Sequence, residues 1–171
     1  MPKALFIDRD GILNEAVIRQ GLVHSPRNLN EVRLCPEVAE ITRVKSLGFE
    51  LILISNQPDI ERGLVTGEFI ETYHRSLQQR FQLDALYVCP FSSPEHPLKK
   101  PNPGMFFQAA QERNLDLRQS FHLGDTEKDT LAAARAGVRS ILWERPYNQN
   151  LAADYRVANI DQLLRILAAK R

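Results

Sequence analysis

Long hydrophobic runs are missing from this chain. No apolar stretch in its 171 residues approaches the roughly 20 that a membrane-spanning helix needs. An excess of one charge sign is missing too. Lys and Arg total 22 against 21 Asp and Glu, a formal net charge of +1, so the balance makes no electrostatic case for a nucleic-acid or membrane partner. Cysteine is scarce, with only Cys35 and Cys89. Two cysteines make no disulfide framework, and the expected compartment is a reducing cytoplasm. The apolar pattern starts almost at Met1, which leaves no room for a signal peptide in this sequence. Repeats, low-complexity tracts and a domain-dividing linker are also lacking. What is present is the profile of an ordinary globular protein, 43% hydrophobic and 25% charged. The length suits a single domain, residues 1–171, with a sizeable core, and a monomer is the default expectation.

Short apolar runs alternate with longer helical patterns. Ala4–Ile7, Leu51–Ile54, Leu86–Val88, Phe121–Leu123 and Ile141–Trp143 read as strands buried on both faces, as in a parallel sheet covered by helices. Helices are expected over Glu37–Ser46, between Pro36 and Gly48, over Glu68–Phe81 behind Thr66, and over Met105–Arg113. Two more follow at Lys128–Ala136 behind Thr126 and at Asp161–Ala169, with Asp161 as a candidate N-cap. Strand and helix in alternation predict an α/β fold, a doubly wound parallel sheet without a large cap domain. Two long irregular stretches, Gly11–Cys35 and the proline-rich Cys89–Gly104, have the length of functional loops.

The first strand ends in Asp8-Arg9-Asp10-Gly11. In extended chain, positions i and i+2 project to one side, so both carboxylates can face one pocket. One could attack a phosphorus while the other handles a proton, with a divalent cation to hold the negative charge together. Taken alone, the run fits equally well a turn in which the aspartates cap backbone amides and Gly11 takes a positive φ. Other polar signatures follow other strands: Ser55-Asn56-Gln57 and Gly124-Asp125-Thr126. Ligands of open parallel sheets bind outside the carboxyl ends of the strands, so these signatures would converge. Lys99-Lys100-Pro101-Asn102-Pro103-Gly104 closes a loop from which a lysine can enter the same mouth.

These four ordered signatures resemble those of the haloacid dehalogenase superfamily of phosphohydrolases, over nearly the whole chain. The details Asp8-Arg9-Asp10-Gly11-Ile12-Leu13-Asn14, Ser55-Asn56-Gln57 with Arg62-Gly63, and Lys100-Pro101-Asn102-Pro103-Gly104-Met105 resemble the subgroup lacking a large cap. That subgroup holds the heptose bisphosphate phosphatases, with the histidinol-phosphate phosphatases as relatives. The resemblance implies Asp8 as nucleophile forming an aspartyl-phosphate, and Asp10 as general acid and base. Crowding beside Asp8 and Asp125 would help Asp10 keep a proton. Mg²⁺ would be held by the Asp8 carboxylate, the Asp10 carbonyl and the Asp125 carboxylate. Ser55 and the Asn56 amide would donate to phosphoryl oxygens, and Lys100 would stabilise transferring charge. Asp129 would orient Lys100 or a metal-bound water; as a bare sequence feature it also fits a helix-start carboxylate. Arg62 and Lys99 are candidate substrate-binding cations. His122, inside an apolar run, reads as a core residue.

The chain departs from the subgroup in several places. Of the usual zinc loop only Cys89 and His96 remain as candidate ligands, with Phe91 at the histidine position, so structural zinc is not expected. Asp59 and Glu61 stand where small residues are usual, Lys99 replaces an arginine, and Thr126 stands where lysine or serine is common. Two carboxylates near a phosphate pocket should repel a second phosphate unless they point away. The expectation is a Mg²⁺-dependent phosphomonoesterase acting on a small phosphorylated metabolite, a sugar bisphosphate first and histidinol phosphate second. A non-catalytic phosphometabolite-binding module is the competing class.

Overall fold

The computed structural model describes residues 1–169. Six strands form one parallel sheet: β1 (Lys3–Ile7), β4 (Phe49–Asn56), β5 (Ala85–Cys89), β6 (Phe121–Gly124), β7 (Arg139–Trp143) and β8 (Tyr155–Val157). Their order is β5-β4-β1-β6-β7-β8, with β1 at the centre. Helices α1 (Gly67–Phe81), α2 (Gly104–Arg113), α3 (Glu127–Ala136) and α4 (Ile160–Ala168) supply the outer layers. No large cap domain is inserted among the described residues.

Strand pleat sorts the core into two layers. Leu5, Ile7, Leu51, Leu53, Phe121 and Leu123 face one side, where they pack with Phe69, Tyr73 and Leu77 of α1 and Leu163 and Leu167 of α4. Ala4, Phe6, Ile52 and Ile54 face the other, against Met105, Phe106 and Ala109 of α2 and Ala132 and Ala133 of α3. Burial of each large side chain contributes about 1.5–3 kcal/mol against chain entropy. The small alanines of α3 let that helix lie close to the sheet, which brings its first turn to the carboxyl end of β6.

Three expectations are corrected. The helix expected over Glu37–Ser46 is instead two short 3-10 segments, Pro36–Val38 and Ile41–Leu47. Val38, Ile41, Thr42 and Val44 are β-branched and weak helix formers, and tertiary packing rather than helix propensity sets the backbone there. Gly11–Cys35 is not wholly irregular. It contains a hairpin of β2 (Val17–Arg19) and β3 (Leu22–His24), turned at Gln20 and Gly21, both with positive φ (51° and 77°). The N-cap of α4 is Asn159, whose side chain accepts from the Gln162 amide at 3.0 Å, rather than Asp161. Thr66 caps α1 as expected, accepting from the Phe69 amide at 3.1 Å.

Candidate active site

The polar strand ends do converge. They line a cavity of about 360 Å³ whose wall includes Asp8, Asp10, Asn56, Arg62, Lys99, Lys100, Asp125 and Asp129. It opens at the carboxyl ends of β1, β4 and β6, where the chain's winding reverses. Asp8 directly follows β1, and its amide donates to the Leu123 carbonyl at 3.0 Å, which fixes the residue between two strands.

Lys100 lies at the centre of the floor. Its Nζ is 3.0 Å from Asp8 Oδ1 and 2.6 Å from Asp129 Oδ1, and it donates to the Ile54 carbonyl at 3.3 Å. Asn56 clamps the lysine backbone in both directions: Oδ1 accepts from the Lys100 amide at 3.0 Å and Nδ2 donates to its carbonyl at 2.9 Å. Burial opposes charge on Lys100, yet Asp129 and Asp8 hold its pKa above the ordinary value. Burial likewise opposes charge on Asp129, and Lys100 and His122 hold it well below the usual carboxylate range. Burial pushes Asp8 up to about 7 against the pull of Lys100, and Asp129, Asp125 and Asp10 add to the rise.

Asp129 combines the two alternatives its sequence position allowed. Its Oδ2 accepts from the Thr126 amide at 3.0 Å at the start of α3, while Oδ1 takes Lys100. Gly124 is required for this fit, because a Cβ there would lie 2.3 Å from Asp129 Cβ. His122 is a core residue, as expected, but its Nε2 lies 3.3 Å from Asp129 Oδ1 and its Nδ1 lies 3.3 Å from the Phe6 carbonyl. It therefore backs the Lys100–Asp129 pair.

Asp10 differs from expectation. Arg9 holds both its oxygens at 3.1 Å, Asn14 donates to Oδ1 at 2.9 Å, and Ser25 and Gln57 donate to Oδ2 at 2.7 and 2.9 Å. Burial pushes its pKa up, but the Arg9 charge and these donors outweigh burial and hold the carboxyl below its ordinary value. Crowding by Asp8 and Asp125 does not dominate; Arg9, fully buried and adjacent, does. Ser55 is buried near the end of β4, next to the cavity-lining Asn56, its Oγ accepting from Gln57 Nε2 at 2.8 Å.

The rim is cationic. Arg62, Lys99 and Lys128 line the cavity, and Lys99 has its pKa lowered by burial and then by the charges of Lys128 and Arg62. The two unusual carboxylates are already occupied. Asp59 is bridged by Arg27 at 2.8 Å and Arg62 at 3.3 Å, and Glu61 accepts from the Ser92 amide at 2.7 Å. Lys99 Nζ donates to the Ser92 carbonyl. Sequence reasoning passed over Lys128 as a site residue, although it sits two residues beyond Thr126 in the signature that follows β6. It also passed over Ser25 and Tyr147, and took Gln57 only as part of the strand-end signature Ser55-Asn56-Gln57. The position of Tyr147 beyond the carboxyl end of β7 was the available signal for it.

One ligand atom from each of Asp8, Asp125 and Asp129 lies within 4.8 Å of the other two. Asp125 Oδ2 accepts from the Tyr147 hydroxyl, while Oδ1 is buried with no hydrogen-bond partner. An unpartnered buried carboxylate oxygen is costly, and a cation satisfies it. Burial and then the Asp129 charge push Asp125 up to about 6. The backbone approaches closely here: at Gly11, with φ 86°, a Cβ would lie 2.1 Å from Asp125 Oδ2. All-oxygen donors suit a hard divalent cation. Cys89 is buried at the end of β5, and His96 stacks on Phe91 at 3.8 Å, with its Nδ1 accepting from the Leu98 amide at 3.2 Å.

A carboxylate pair after β1, a lysine shared with a carboxylate on α3, and a parallel sheet wound in this order define a class. The chain belongs to the haloacid dehalogenase-like hydrolases, whose family model matches residues 3–137. Among its relatives, the D-glycero-beta-D-manno-heptose-1,7-bisphosphate 7-phosphatase of Helicobacter pylori strain 26695 is 38% identical over 147 residues, 82% of each chain. The D-glycero-D-manno-heptose-1,7-bisphosphate 7-phosphatase of Thermosynechococcus vestitus is 35% identical over 161 residues, 83% of this chain and 79% of the relative. In fold, the chain is similar to the D,D-heptose 1.7-bisphosphate phosphatase of B. bronchiseptica complexed with magnesium and phosphate. The TM-score is 0.82 with 22% identity, covering 99% of both chains.

Proposed function

We propose that this chain, taken as a single hydrolase domain over residues 1–171, is a Mg²⁺-dependent phosphomonoesterase. Its substrate is D-glycero-D-manno-heptose 1,7-bisphosphate, from which it releases the 7-phosphate. The observation that carries the reaction is the Asp8–Lys100–Asp129 line at the cavity floor. The sugar assignment rests on the similarity to the two heptose bisphosphate phosphatases, and the cationic rim favours a substrate with a second phosphate.

Asp8 is the nucleophile, and attack through one carboxylate oxygen divides hydrolysis into formation and breakdown of an aspartyl-phosphate. Lys100 steers charge between the nucleophile and the transferring group, and Asp129 keeps it charged and aimed. Ser55 and the Asn56 amide donate to phosphoryl oxygens. Asp10, held here as a carboxylate, is ready to take a proton from water; donating one to the leaving alkoxide requires its contacts to loosen when substrate enters. Asp8, the Asp10 carbonyl and Asp125 would hold the Mg²⁺. Bound there, the ion offsets repulsion between carboxylate and phosphate. Arg62, Lys99 and Lys128, which line the cavity, would meet the second phosphate of a bisphosphate.

The proline-rich loop needs no structural zinc in this reading; metal analysis of purified protein showing one zinc per chain would overturn that part. No described helix is long and apolar enough to cross a membrane. A cytoplasmic monomer without nucleic-acid partners completes the proposal. The function is tested by phosphate release with Mg²⁺ present. Heptose 1,7-bisphosphate is expected to outrun histidinol phosphate and simple monoesters; a preference for histidinol phosphate would replace the substrate, and release from none would return the chain to the binding-module class.

A further inference from the structure

Gln57 is given no part in the chemistry described above, yet it touches two groups that have one, Asp10 and Ser55, and Arg9, which holds Asp10. Its side chain is buried just beyond β4. Oε1 accepts from Arg9 Nη2 at 2.6 Å, and Nε2 donates to Asp10 Oδ2 at 2.9 Å and to Ser55 Oγ at 2.8 Å. A guanidinium has donors only, so the amide atom facing Arg9 must be the oxygen. Arg9 cannot easily turn away. It is fully buried, lies 3.0 Å from His74 Nε2, and sits over the Tyr73 ring at 5.2 Å. With the oxygen fixed on that side, both amide hydrogens point to Asp10 and Ser55. Ser55 Oγ therefore receives a hydrogen bond from below and keeps its own hydrogen to give.

We infer that Gln57 is a positioning residue that fixes the sense of the Ser55 hydrogen bond, so that this hydroxyl donates to a phosphoryl oxygen. The same amide ties Ser55 to Asp10, which makes one unit of the phosphate-binding and proton-handling sides of the site. This inference rests on the phosphomonoesterase reading. A glutamate at 57 keeps the shape and inverts the sense: its oxygen would accept the Ser55 hydrogen and set a second negative charge against Asp10. A methionine keeps the length and offers no hydrogen bond at all.

The test is calorimetric titration of inorganic phosphate with saturating Mg²⁺. It compares the wild type, Ser55→Ala, Gln57→Glu, Gln57→Met and the two double variants. Ser55→Ala and Gln57→Glu are each expected to weaken phosphate binding about tenfold, and Gln57→Met about threefold. In the Ser55→Ala background Gln57→Met should weaken binding no further, because the two positions act through one hydrogen bond, whereas Gln57→Glu still adds the repulsion of its charge. Gln57→Met carries the test if Gln57→Glu does not fold. Unchanged phosphate binding in folded Gln57→Met, or losses that multiply independently in the Ser55→Ala/Gln57→Met double variant, overturns the inference while leaving the phosphomonoesterase reading intact. A wild type that binds no phosphate overturns both.

Discussion

The floor and the rim of the cavity are built differently. Floor side chains sit at strand ends or are clamped to them, and Lys100 and Asp129 are only 3% and 2% exposed. The rim is carried by loops and the first turn of α3, and Arg62 is half exposed. Charges on the floor compensate one another at distances near 3 Å in a medium that screens them little. Charges on the rim are wet and only partly paired. The floor can therefore hold an attacking carboxylate and a cation in fixed register, which a reaction needs. The rim can exchange residues without disturbing that register, which is what selection among phosphate esters needs.

Breaking the floor should have the largest effects. Asp8→Asn is expected to lower turnover by at least about 10⁴-fold with the circular dichroism spectrum unchanged. Unchanged hydrolysis would remove Asp8 from the chemistry. Lys100→Met leaves Asp129 and Asp8 as buried carboxylates without their cation. It should cost about 3 kcal/mol, a fall in Tm of about 10 °C, besides nearly all activity. A variant as stable as wild type would mean that the ion pair does not hold the floor together.

A smaller effect separates floor from rim by pH. Burial raises Asp8 to about 7 and Asp125 to about 6, above the ordinary value for a carboxyl. A raised acid stabilises the folded metal-free chain while it stays protonated, and that contribution fades as pH climbs through about 6 to 7. A divalent cation takes the ionised forms. Added Mg²⁺ should therefore raise Tm by about 5 °C at pH 8 and by little at pH 5. An equal rise at both pH values would place the ion elsewhere. At the rim, Lys99→Met should lower the preference for a bisphosphate over a monophosphate about fivefold, a wet cation being worth about 1 kcal/mol. A preference that does not move would leave Lys99 as a loop tether to Ser92.

The same division decides what could be read from the sequence. Floor residues announced themselves because β1, β4 and β6 are short apolar runs that end abruptly in polar groups, and the carboxyl ends of such strands must meet. β8 was not read: Tyr155–Val157 is three residues at the sheet edge, too short for a pattern. The hairpin β2–β3 and the 3-10 segments depend on packing against the rest of the chain. Asp10 shows the limit most clearly. Its place after β1 brings it to the cavity, but its charge is set by burial against the neighbouring Arg9 and by donors such as Ser25, 15 positions away, which no local pattern shows. Lys128 was hidden because only the register of α3 turns it toward the cavity.

We propose that the floor sets the reaction and the rim sets the choice of phosphate. This is tested most directly by kcat/KM for heptose 1,7-bisphosphate and for a simple sugar monophosphate in the combined Arg62→Met, Lys99→Met, Lys128→Met variant. The ratio of the two is expected to fall by about 100-fold or more as three cations are lost. A ratio equal to that of the wild type, with both substrates slowed alike, would contradict it.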